Sequence, residues 1–281
     1  MDVYHRPETL QDALALLDGQ AATVAAGCTD LFPATDAQAL TGTVLDISAI
    51  AGLRGIEGTA EGWRIGAATT WSDILRASLP PAFDMLKQAA REVGSVQIQN
   101  AGTIGGNICN ASPAADGVPP LLALDACVEL ASATGTRRLA LAEFLTGARR
   151  TALRPGEMVT AIEVPRASGA GRSRFLKLGA RKYLVISIAS VAVRLVERAG
   201  RVESAALAVG ACSPVALRLP GLEQRLRQRA LADLPDAVDD GEVAAALSPS
   251  SDIRADSGYR LAAAGDLLRR ALSDVAAGAR A

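Results

Sequence analysis

The sequence predicts an α+β fold, with short strands and helices alternating over the first 165 residues and an antiparallel sheet with helices after them. Brief apolar runs bounded by glycine or proline are typical of buried strands, whereas apolar residues recurring every three or four positions indicate helices with one buried face. A chain of 281 residues holds about two domains. The polar, glycine-containing segment 166–172 (RASGAGR) is the predicted linker. We therefore expect a first domain in two parts, residues 1–52 and 53–165, and a second domain over residues 173–281.

The first 52 residues predict one helix and then a strand–helix–strand unit. Thr9 or Glu8 can begin the first helix because short polar side chains cap helix starts, and Gly19 can end it. The expected elements are a helix over 7–19, strands over 23–26 and 44–47, and between these strands a helix over 31–39.

The second part of the first domain alternates strands and helices. Leu86, Ala90 and Val93 recur on one stripe of an amphipathic helix. The pair Thr69 and Thr70 precedes an apolar turn and is expected to cap the helix that follows. The expected elements are strands over 63–67, 126–131, 137–141 and 158–164, and helices over 71–77, 80–93, 119–124 and 142–145.

The C-terminal domain is predicted as a small antiparallel sheet with helices. Arg198, Ala199 and Gly200 separate two apolar runs and are typical of the turn of a hairpin. The expected elements are strands over 173–178, 186–196 and 202–209, and helices over 219–234 and 257–277.

Charge and composition exclude several classes of function. Acidic and basic residues nearly balance, with a net charge of −1 and a pI near 6.0, so nothing favours nucleic-acid binding. No apolar run approaches the roughly 18 residues that cross a membrane. The polar N-terminus (MDVYHRPETLQ) is unlike a signal peptide, so we expect a cytoplasmic protein that does not bind membranes.

Cysteine and histidine usage predicts neither a metal site nor hydrolytic chemistry. The four cysteines, at positions 28, 109, 127 and 212, form no CxxC pair, so reduced thiols are expected rather than zinc or an iron–sulfur cluster. The single histidine, His5, lies near the chain end, and no GxSxG or HExxH motif occurs. No catalytic residue and no metal ligand are therefore predicted in this chain.

Two glycine-containing stretches are the candidates for ligand binding. Residues 100–116 (NAGTIGGNICNASPAAD) contain three glycines and few packing side chains, and residues 24–33 (VAAGCTDLFP) pass from an apolar strand into a glycine turn. Glycine has no Cβ, so backbone N–H groups in such loops can closely approach an anion such as a pyrophosphate. Neither GxGxxG nor the P-loop motif is present. Two loops that hold a diphosphate from two sides are therefore expected.

The two stretches, with PPLLALDA after them, resemble the FAD-binding medium subunits of the molybdenum hydroxylases, the xanthine dehydrogenase and carbon monoxide dehydrogenase type. Similar segments continue with EMVTAIEVP at 157–165, FLKLGARKYLVIS at 175–187 and DIRADSGYR at 252–260, so the resemblance spans the chain. It implies a two-part PCMH-type FAD-binding domain, followed by a small C-terminal domain with a three-stranded antiparallel sheet and helices.

The resemblance also implies which residues bind FAD. Many relatives have a second glycine at the position of Cys28, where this chain departs from the pattern. The Thr103 hydroxyl and nearby backbone donors would contact the pyrophosphate, and Asp116 would accept hydrogen bonds from FAD hydroxyls unless it caps the next helix. Val159 would pack on apolar surface, and Lys177 would place positive charge near the flavin. The implied FAD-binding residues are Val24, Ala25, Ala26, Gly27, Cys28, Thr29, Asp30, Leu31, Thr103, Ile104, Gly105, Gly106, Asn107, Asp116, Val159 and Lys177.

The function that the resemblance implies is that of an electron-transferring oxidoreductase subunit. A large partner would carry the molybdenum cofactor and a small partner the 2Fe-2S clusters, and electrons would pass through FAD to NAD or another acceptor. The RKYLVIS segment and the first loop favour a xanthine-dehydrogenase-like enzyme acting on a purine or other N-heterocycle. Two alternatives stay open, a stand-alone flavin oxidase or dehydrogenase of the vanillyl-alcohol oxidase type and a non-catalytic flavin-binding scaffold.

Overall fold

The structure is a computed structural model that describes residues 3–36 and 39–278. Its described strands form a three-stranded parallel sheet, a five-stranded sheet, a four-stranded sheet and a two-stranded hairpin, with helices packed between and around them. This mixture of helices and separate sheets confirms the predicted α+β class. No helix in the described ranges has the length and apolar character needed to cross a membrane.

The N-terminal part pairs one helix with a small parallel sheet. Its elements are β1 (Val3–His5), α1 (Leu10–Gly19), β2 (Thr23–Ala25) and β3 (Thr43–Asp46). Thr9 begins α1 as predicted, its side chain accepting the Asp12 N–H, and the helix buries Ala13 and Leu17. β3 lies between β1 and β2, and all three strands run parallel.

The helix predicted over residues 31–39 does not form in the described part of that segment, which excludes residues 37 and 38. The chain turns there instead, and the Phe32 N–H bonds to the carbonyl of Cys28 at 3.2 Å. Pro33 follows, and because proline has no N–H it cannot bond to a carbonyl one turn earlier. The helix prediction is therefore wrong, and a series of turns follows β2.

The second part of the first domain surrounds a five-stranded antiparallel sheet of order β4-β5-β10-β6-β7, with β8 and β9 forming a separate hairpin. Its elements are β4 (Ile56–Gly58), β5 (Gly62–Gly66), α2 (Trp71–Arg76), α3 (Asp84–Glu92), α4 (Val96–Ala101), α5 (Ile104–Asn110), α6 (Val118–Ala123), β6 (Cys127–Ser132), β7 (Gly135–Ala140), α7 (Leu141–Phe144), β8 (Leu145–Gly147), β9 (Arg150–Thr151) and β10 (Met158–Pro165). Thr70 caps α2 as predicted, in a reciprocal capping box with Asp73. The predicted helix over 80–93 begins with a 3₁₀ turn at Pro81–Phe83 and continues as α3.

The glycine-rich stretch predicted as a loop is largely helical. Thr103 separates α4 from α5, and its side chain accepts the Gly106 N–H at 3.0 Å as the N-cap of α5. Gly105 faces the end of β5, where an added Cβ would lie 2.6 Å from the carbonyl oxygen of Ala67. The loop prediction is wrong here because this glycine lets a short helix pack directly on a strand end.

The C-terminal part is a four-stranded antiparallel sheet with three helices described. Its elements are β11 (Arg172–Leu178), β12 (Ala189–Arg198), β13 (Arg201–Gly210), β14 (Leu217–Arg218), α8 (Pro220–Leu226), α9 (Asp240–Ala246) and α10 (Ser257–Ala276). The three predicted strands are confirmed, and the two-residue strand β14 adds a fourth. The helix predicted over 219–234 ends at Leu226, and α9 was not predicted.

Both faces of the C-terminal sheet are buried. Ala192 and Ala208 share a hydrophobic core with residues of α3 and α6, whereas Val191, Val193 and Val209 share a second core with α10. Alternate side chains of a strand point to opposite faces, so one pattern serves both cores. The first core therefore continues from the five-stranded sheet into the C-terminal sheet. It holds these two parts of the chain together around the cleft described next.

Candidate functional site

A cleft of about 630 Å³ lies between the N-terminal sheet, α5 and the C-terminal sheet. Its volume is within the range of roughly 300–1,000 Å³ that is usual for small-molecule sites. Two of the sixteen predicted FAD-binding residues, Ala25 in β2 and Ile104 in α5, do not line it and are buried. The other fourteen line it, namely Val24, Ala26, Gly27, Cys28, Thr29, Asp30, Leu31, Thr103, Gly105, Gly106, Asn107, Asp116, Val159 and Lys177.

One wall of the cleft is a turn after β2, residues 27–31, which presents a row of backbone donors. Within the described parts of the chain, none of its five N–H groups donates a hydrogen bond to another residue. The turn packs tightly on the end of α4, where a Cβ added to Gly27 would lie 1.9 Å from the carbonyl oxygen of Ala101. Cys28 has a φ of +56°, in the left-handed region that favours glycine. Successive free N–H groups in such a turn form a concavity suited to an anion.

The start of α5 lines the cleft beside this turn, but its N–H groups already have acceptors inside the protein. The N–H of Ile104 bonds to the carbonyl of Thr69 at 3.0 Å, and that of Gly105 bonds to Ala67 at 2.9 Å. The Gly106 N–H bonds to the capping hydroxyl oxygen of Thr103. The backbone donors of residues 104–106 are therefore engaged, and the Thr103 hydroxyl is one donor of this segment that still lines the cleft.

Two further residues of α5, Gly106 and Asn107, line the cleft. Gly106 is exposed on the cleft side, and a Cβ added there would meet within 4 Å only the Thr103 hydroxyl oxygen, at 2.9 Å. The Oδ1 atom of Asn107 is buried without a hydrogen-bond partner among the described residues. Buried polar atoms are seldom left unpaired, so an unpaired one that lines a cleft suggests a missing ligand or water.

Asp116 and Lys177 form a buried ion pair that joins the two domains at the cleft. The Lys177 Nζ lies 2.6 Å from Asp116 Oδ2, and the side chains are only 6% and 7% exposed, respectively. The Ser187 hydroxyl donates to Asp116 Oδ1 at 2.5 Å. Burial raises the pKa of Asp116, against the opposing influence of Lys177 and Ser187. Gly117, not Asp116, is the N-cap of α6, so the alternative role of Asp116 as a helix cap is wrong.

Several residues outside the predicted set also line the cleft, including Glu92, Arg149 and Glu157. Arg149 is its second cationic side chain, beside Lys177, and among the described residues it contacts the carbonyl and side chain of Asn110 rather than a carboxylate. Arg137 hydrogen-bonds to Glu157 and lowers its pKa below the ordinary value. Arg149 precedes the EMVTAIEVP segment at residues 157–165, which carried the family resemblance. This position in the sequence was the signal that could have pointed to Arg149 as a cleft residue.

The donor set fits FAD. The turn at residues 27–31 offers N–H groups for a pyrophosphate that have no acceptor in the part of the chain that the structure describes. Gly106 leaves space for close approach, and the Thr103 hydroxyl and Asp116 carboxylate offer a donor and an acceptor. Apolar lining by Val159, among others, suits a flat ring system. Across the described ranges, no group of three or more histidine, cysteine, aspartate or glutamate residues is placed to hold a metal ion.

Known proteins match this chain along nearly its whole length. Residues 1–167 match the FAD binding domain in molybdopterin dehydrogenase, and residues 174–275 match the CO dehydrogenase flavoprotein C-terminal domain. The glyceraldehyde dehydrogenase medium chain of Sulfolobus acidocaldarius is 34% identical, over 97% of this chain and 98% of that protein. The xanthine dehydrogenase FAD-binding subunit of Escherichia coli O157:H7 is 31% identical, over 98% and 96%.

The fold of a solved enzyme agrees with these matches. Reconstituted CO dehydrogenase from Oligotropha carboxidovorans contains a chain that superposes with a TM-score of 0.90 at 32% identity, covering 99% of this chain and 98% of that one. The matches group the whole chain with medium subunits rather than with stand-alone flavin oxidases. The predicted family, fold and FAD cofactor are confirmed: this chain belongs to the FAD-binding medium subunits of the molybdenum hydroxylases, and it is an oxidoreductase subunit.

Proposed function

We propose that this chain is the electron-transfer subunit of a multi-subunit molybdenum hydroxylase. It would accept electrons from the 2Fe-2S clusters of a small partner, which receives them from a large molybdenum-cofactor partner, and deliver them to NAD or another acceptor. When bound, FAD would supply the link between one-electron delivery and two-electron release. The observation that supports the proposal most is the turn at residues 27–31, which lines the cleft and whose N–H groups have no acceptor among the described residues.

The residues of this chain would bind and orient the cofactor. The N–H groups of residues 27–31 would hold the pyrophosphate, and the Thr103 hydroxyl would donate to it from the start of α5. Arg149, which lines the cleft, would add positive charge for a phosphate-bearing ligand. Each carboxylate oxygen of Asp116 can accept a second hydrogen bond besides those from Lys177 and Ser187. Asp116 would therefore accept a hydrogen bond from a ligand hydroxyl.

The ion pair also determines the charge near the cofactor. Because the Lys177 ammonium lies 2.6 Å from a carboxylate oxygen of Asp116, the pair carries no net charge when both groups are ionised. Opposite charges so close together largely cancel at longer range. Lys177 would therefore exert a smaller influence on electrons in the cleft than an unpaired lysine would.

The substrate belongs to the large partner and is not encoded in this cleft. The relatives named above are, by their names, dehydrogenases of glyceraldehyde, xanthine and carbon monoxide, a range too wide to transfer. A purine or other N-heterocycle remains the proposed substrate class, on the strength of the RKYLVIS segment at residues 181–187. NAD as the acceptor and a cytoplasmic location likewise stay predictions.

The first test is the visible absorption spectrum of the purified chain, followed by chromatography of whatever acid releases. A flavin spectrum with free FAD near one equivalent is expected, and a tagged chain should co-purify with one large and one small subunit. Adding xanthine, nicotinate or glyceraldehyde to that complex should bleach the flavin band only with the true substrate class. A protein that stays colourless with added FAD would contradict the proposal, and flavin retained by the denatured chain would favour a stand-alone oxidase.

A further inference from the structure

Arg260 is a buried arginine outside the cleft. It hydrogen-bonds to two backbone segments, one of which carries a partner of Asp116 while the other bonds to the turn before Asp116. Arg260 lies in the first turn of α10, at the end of the DIRADSGYR segment, and is 3% exposed. Its Nη1 donates to the carbonyl oxygens of Ile188 at 2.7 Å and Ala211 at 3.1 Å. Its Nη2 donates to Asp252 Oδ1 at 2.8 Å. One guanidinium thus joins the C-terminal segment to two separate strand ends.

The Ile188 contact connects Arg260 to the cleft through the neighbouring residue Ser187. Ser187 directly precedes Ile188, has no exposed surface, and donates its hydroxyl to Asp116 Oδ1 at 2.5 Å. Fixing the Ile188 carbonyl therefore fixes the backbone that carries this hydroxyl. The N–H of Ile188 is fixed as well, because it bonds to the carbonyl of Leu178 at 2.8 Å, one residue beyond Lys177.

The Ala211 contact leads to the same carboxylate from the other side. Ala211 has a φ of +63°, and its N–H donates to the carbonyl of Pro113 at 2.9 Å. Pro113 lies between two cleft-lining residues, Ser112 and Ala114, and three positions before Asp116. Arg260 therefore connects to the backbone before Asp116 and to the hydroxyl that binds its side chain.

The chemistry of this site requires an arginine. A guanidinium presents several donors in one rigid plane, which a lysine ammonium on a flexible stem does not reproduce. Asp252 orients that plane and is itself held by the Arg254 N–H at 2.9 Å. A buried cation is costly unless it is paired and hydrogen-bonded. Here Nη1 and Nη2 make the contacts, which connect strand ends that carry cleft residues, while Nε has no hydrogen-bond partner among the described residues.

We propose that Arg260 is a positioning residue for the FAD cleft, acting through Ser187 and Pro113 on Asp116. The inference rests on the proposed binding of FAD at Asp116. It assigns a role to the DIRADSGYR segment, which does not line the cleft. Without the arginine, the carbonyls of Ile188 and Ala211 lose their shared donor, so the Ser187 hydroxyl and the turn before Asp116 can shift.

The test compares Arg260→Lys and Arg260→Gln with a control, Arg269→Gln, on the same helix. Arg269 bonds to Val238, Asp240 and Asp266, and among the described residues none of these three hydrogen-bonds to Asp116, Ser187 or Pro113. The full chain, stripped of flavin, is titrated with FAD, and unfolding of the apo-protein is measured in parallel. The Arg260 variants should raise the FAD dissociation constant by about two- to thirtyfold, the range for residues that modulate a site from a distance. Arg269→Gln should leave the dissociation constant unchanged whatever it does to stability.

A double-mutant cycle separates positioning from a general loss of stability. If Arg260 acts through Ser187, then Ser187→Ala combined with Arg260→Lys should raise the dissociation constant by less than the product of the single effects. Folded Arg260 variants with wild-type affinity, or a strictly multiplicative cycle, would overturn the inference. If neither Arg260 variant folds, Asp252→Asn frees the guanidinium plane more gently, and unchanged FAD affinity there would overturn it. A wild-type chain that binds no FAD would overturn the proposed function itself and this inference with it.

Discussion

Gly106 should control FAD binding without controlling the fold, whereas Gly105 should do the reverse. Gly106 is exposed on the cleft side of α5, where a new Cβ would meet only the Thr103 hydroxyl oxygen, at 2.9 Å. A Cβ at Gly105 would lie 2.6 Å from the Ala67 carbonyl oxygen and 2.8 Å from the Ala67 Cβ. We therefore expect Gly106→Ala to fold and to bind FAD weakly, and Gly105→Ala to lose stability even without FAD.

The magnitudes follow from the contacts. A methyl group inserted into a packed contact costs about 1–3 kcal/mol, which corresponds to roughly a 5- to 150-fold increase in the FAD dissociation constant for Gly106→Ala. The contact with Thr103 slightly disfavours the same methyl group in the apo-protein, while alanine gains up to about 1 kcal/mol over glycine within a helix. The stability of apo Gly106→Ala should therefore stay within about 1 kcal/mol of the wild type. For Gly105→Ala the same 1–3 kcal/mol should be lost from folding.

Two measurements on each variant decide the matter. Quenching of flavin fluorescence during titration gives the FAD dissociation constant, and urea unfolding of the apo-protein gives the stability. Wild-type FAD affinity in Gly106→Ala would refute the assignment of this face of α5 to the ligand. An apo Gly105→Ala protein as stable as the wild type would refute the packing argument for that glycine.

Two further predictions concern the ion pairs of the cleft. Asp116→Asn should lower the unfolding free energy by about 3–5 kcal/mol, because it leaves the Lys177 ammonium buried without its counter-charge. Adding Lys177→Met to this variant should recover most of that loss. Equal stability of the single and double variants in urea unfolding would contradict this prediction. Arg137 lowers the pKa of Glu157 from its ordinary 4.5, so the stability that this pair contributes is complete above that value and is lost as the pH falls through the lowered pKa. Glu157→Gln should therefore destabilise the apo-protein at neutral pH and progressively less below about pH 4.5. If the difference in unfolding free energy between this variant and the wild type does not change with pH, the pair does not contribute as described.

Local sequence determined those elements that depend on neighbouring residues alone. Thr9 and Thr70 begin α1 and α2 by accepting N–H groups three positions later, an interaction complete within one helical turn. The hairpin between β12 and β13 turns through Ala199 and Gly200, both with positive φ, as the short polar-and-glycine break predicts. The prediction failed at Pro33, where a locally plausible helix lacks the N–H that would extend it.

The sequence also determined the family and most of the residues around the cleft, because residues of both glycine stretches line it. It could not determine what each residue there does. Gly105 and Gly106 are equivalent in the sequence, and only the packing of α5 against Ala67, just after β5, turns one toward Ala67 and leaves the other exposed at the cleft. Lys177 appears in the sequence as a free positive charge, and only the docking of β11 beside the first domain brings Asp116 to within 2.6 Å of it.

The division has one physical cause. Secondary structure and caps depend on contacts within a few residues, so the sequence alone determines them. The partner of an N–H group or of a charge depends on which distant segments meet. Residues 27–31 keep their N–H groups free of protein acceptors among the described residues, whereas those starting α5 are engaged by Thr69 and Ala67. The sequence determined that this chain belongs to a family of FAD-binding subunits, and the tertiary structure alone decided which donors, glycines and charges stay available at the cleft.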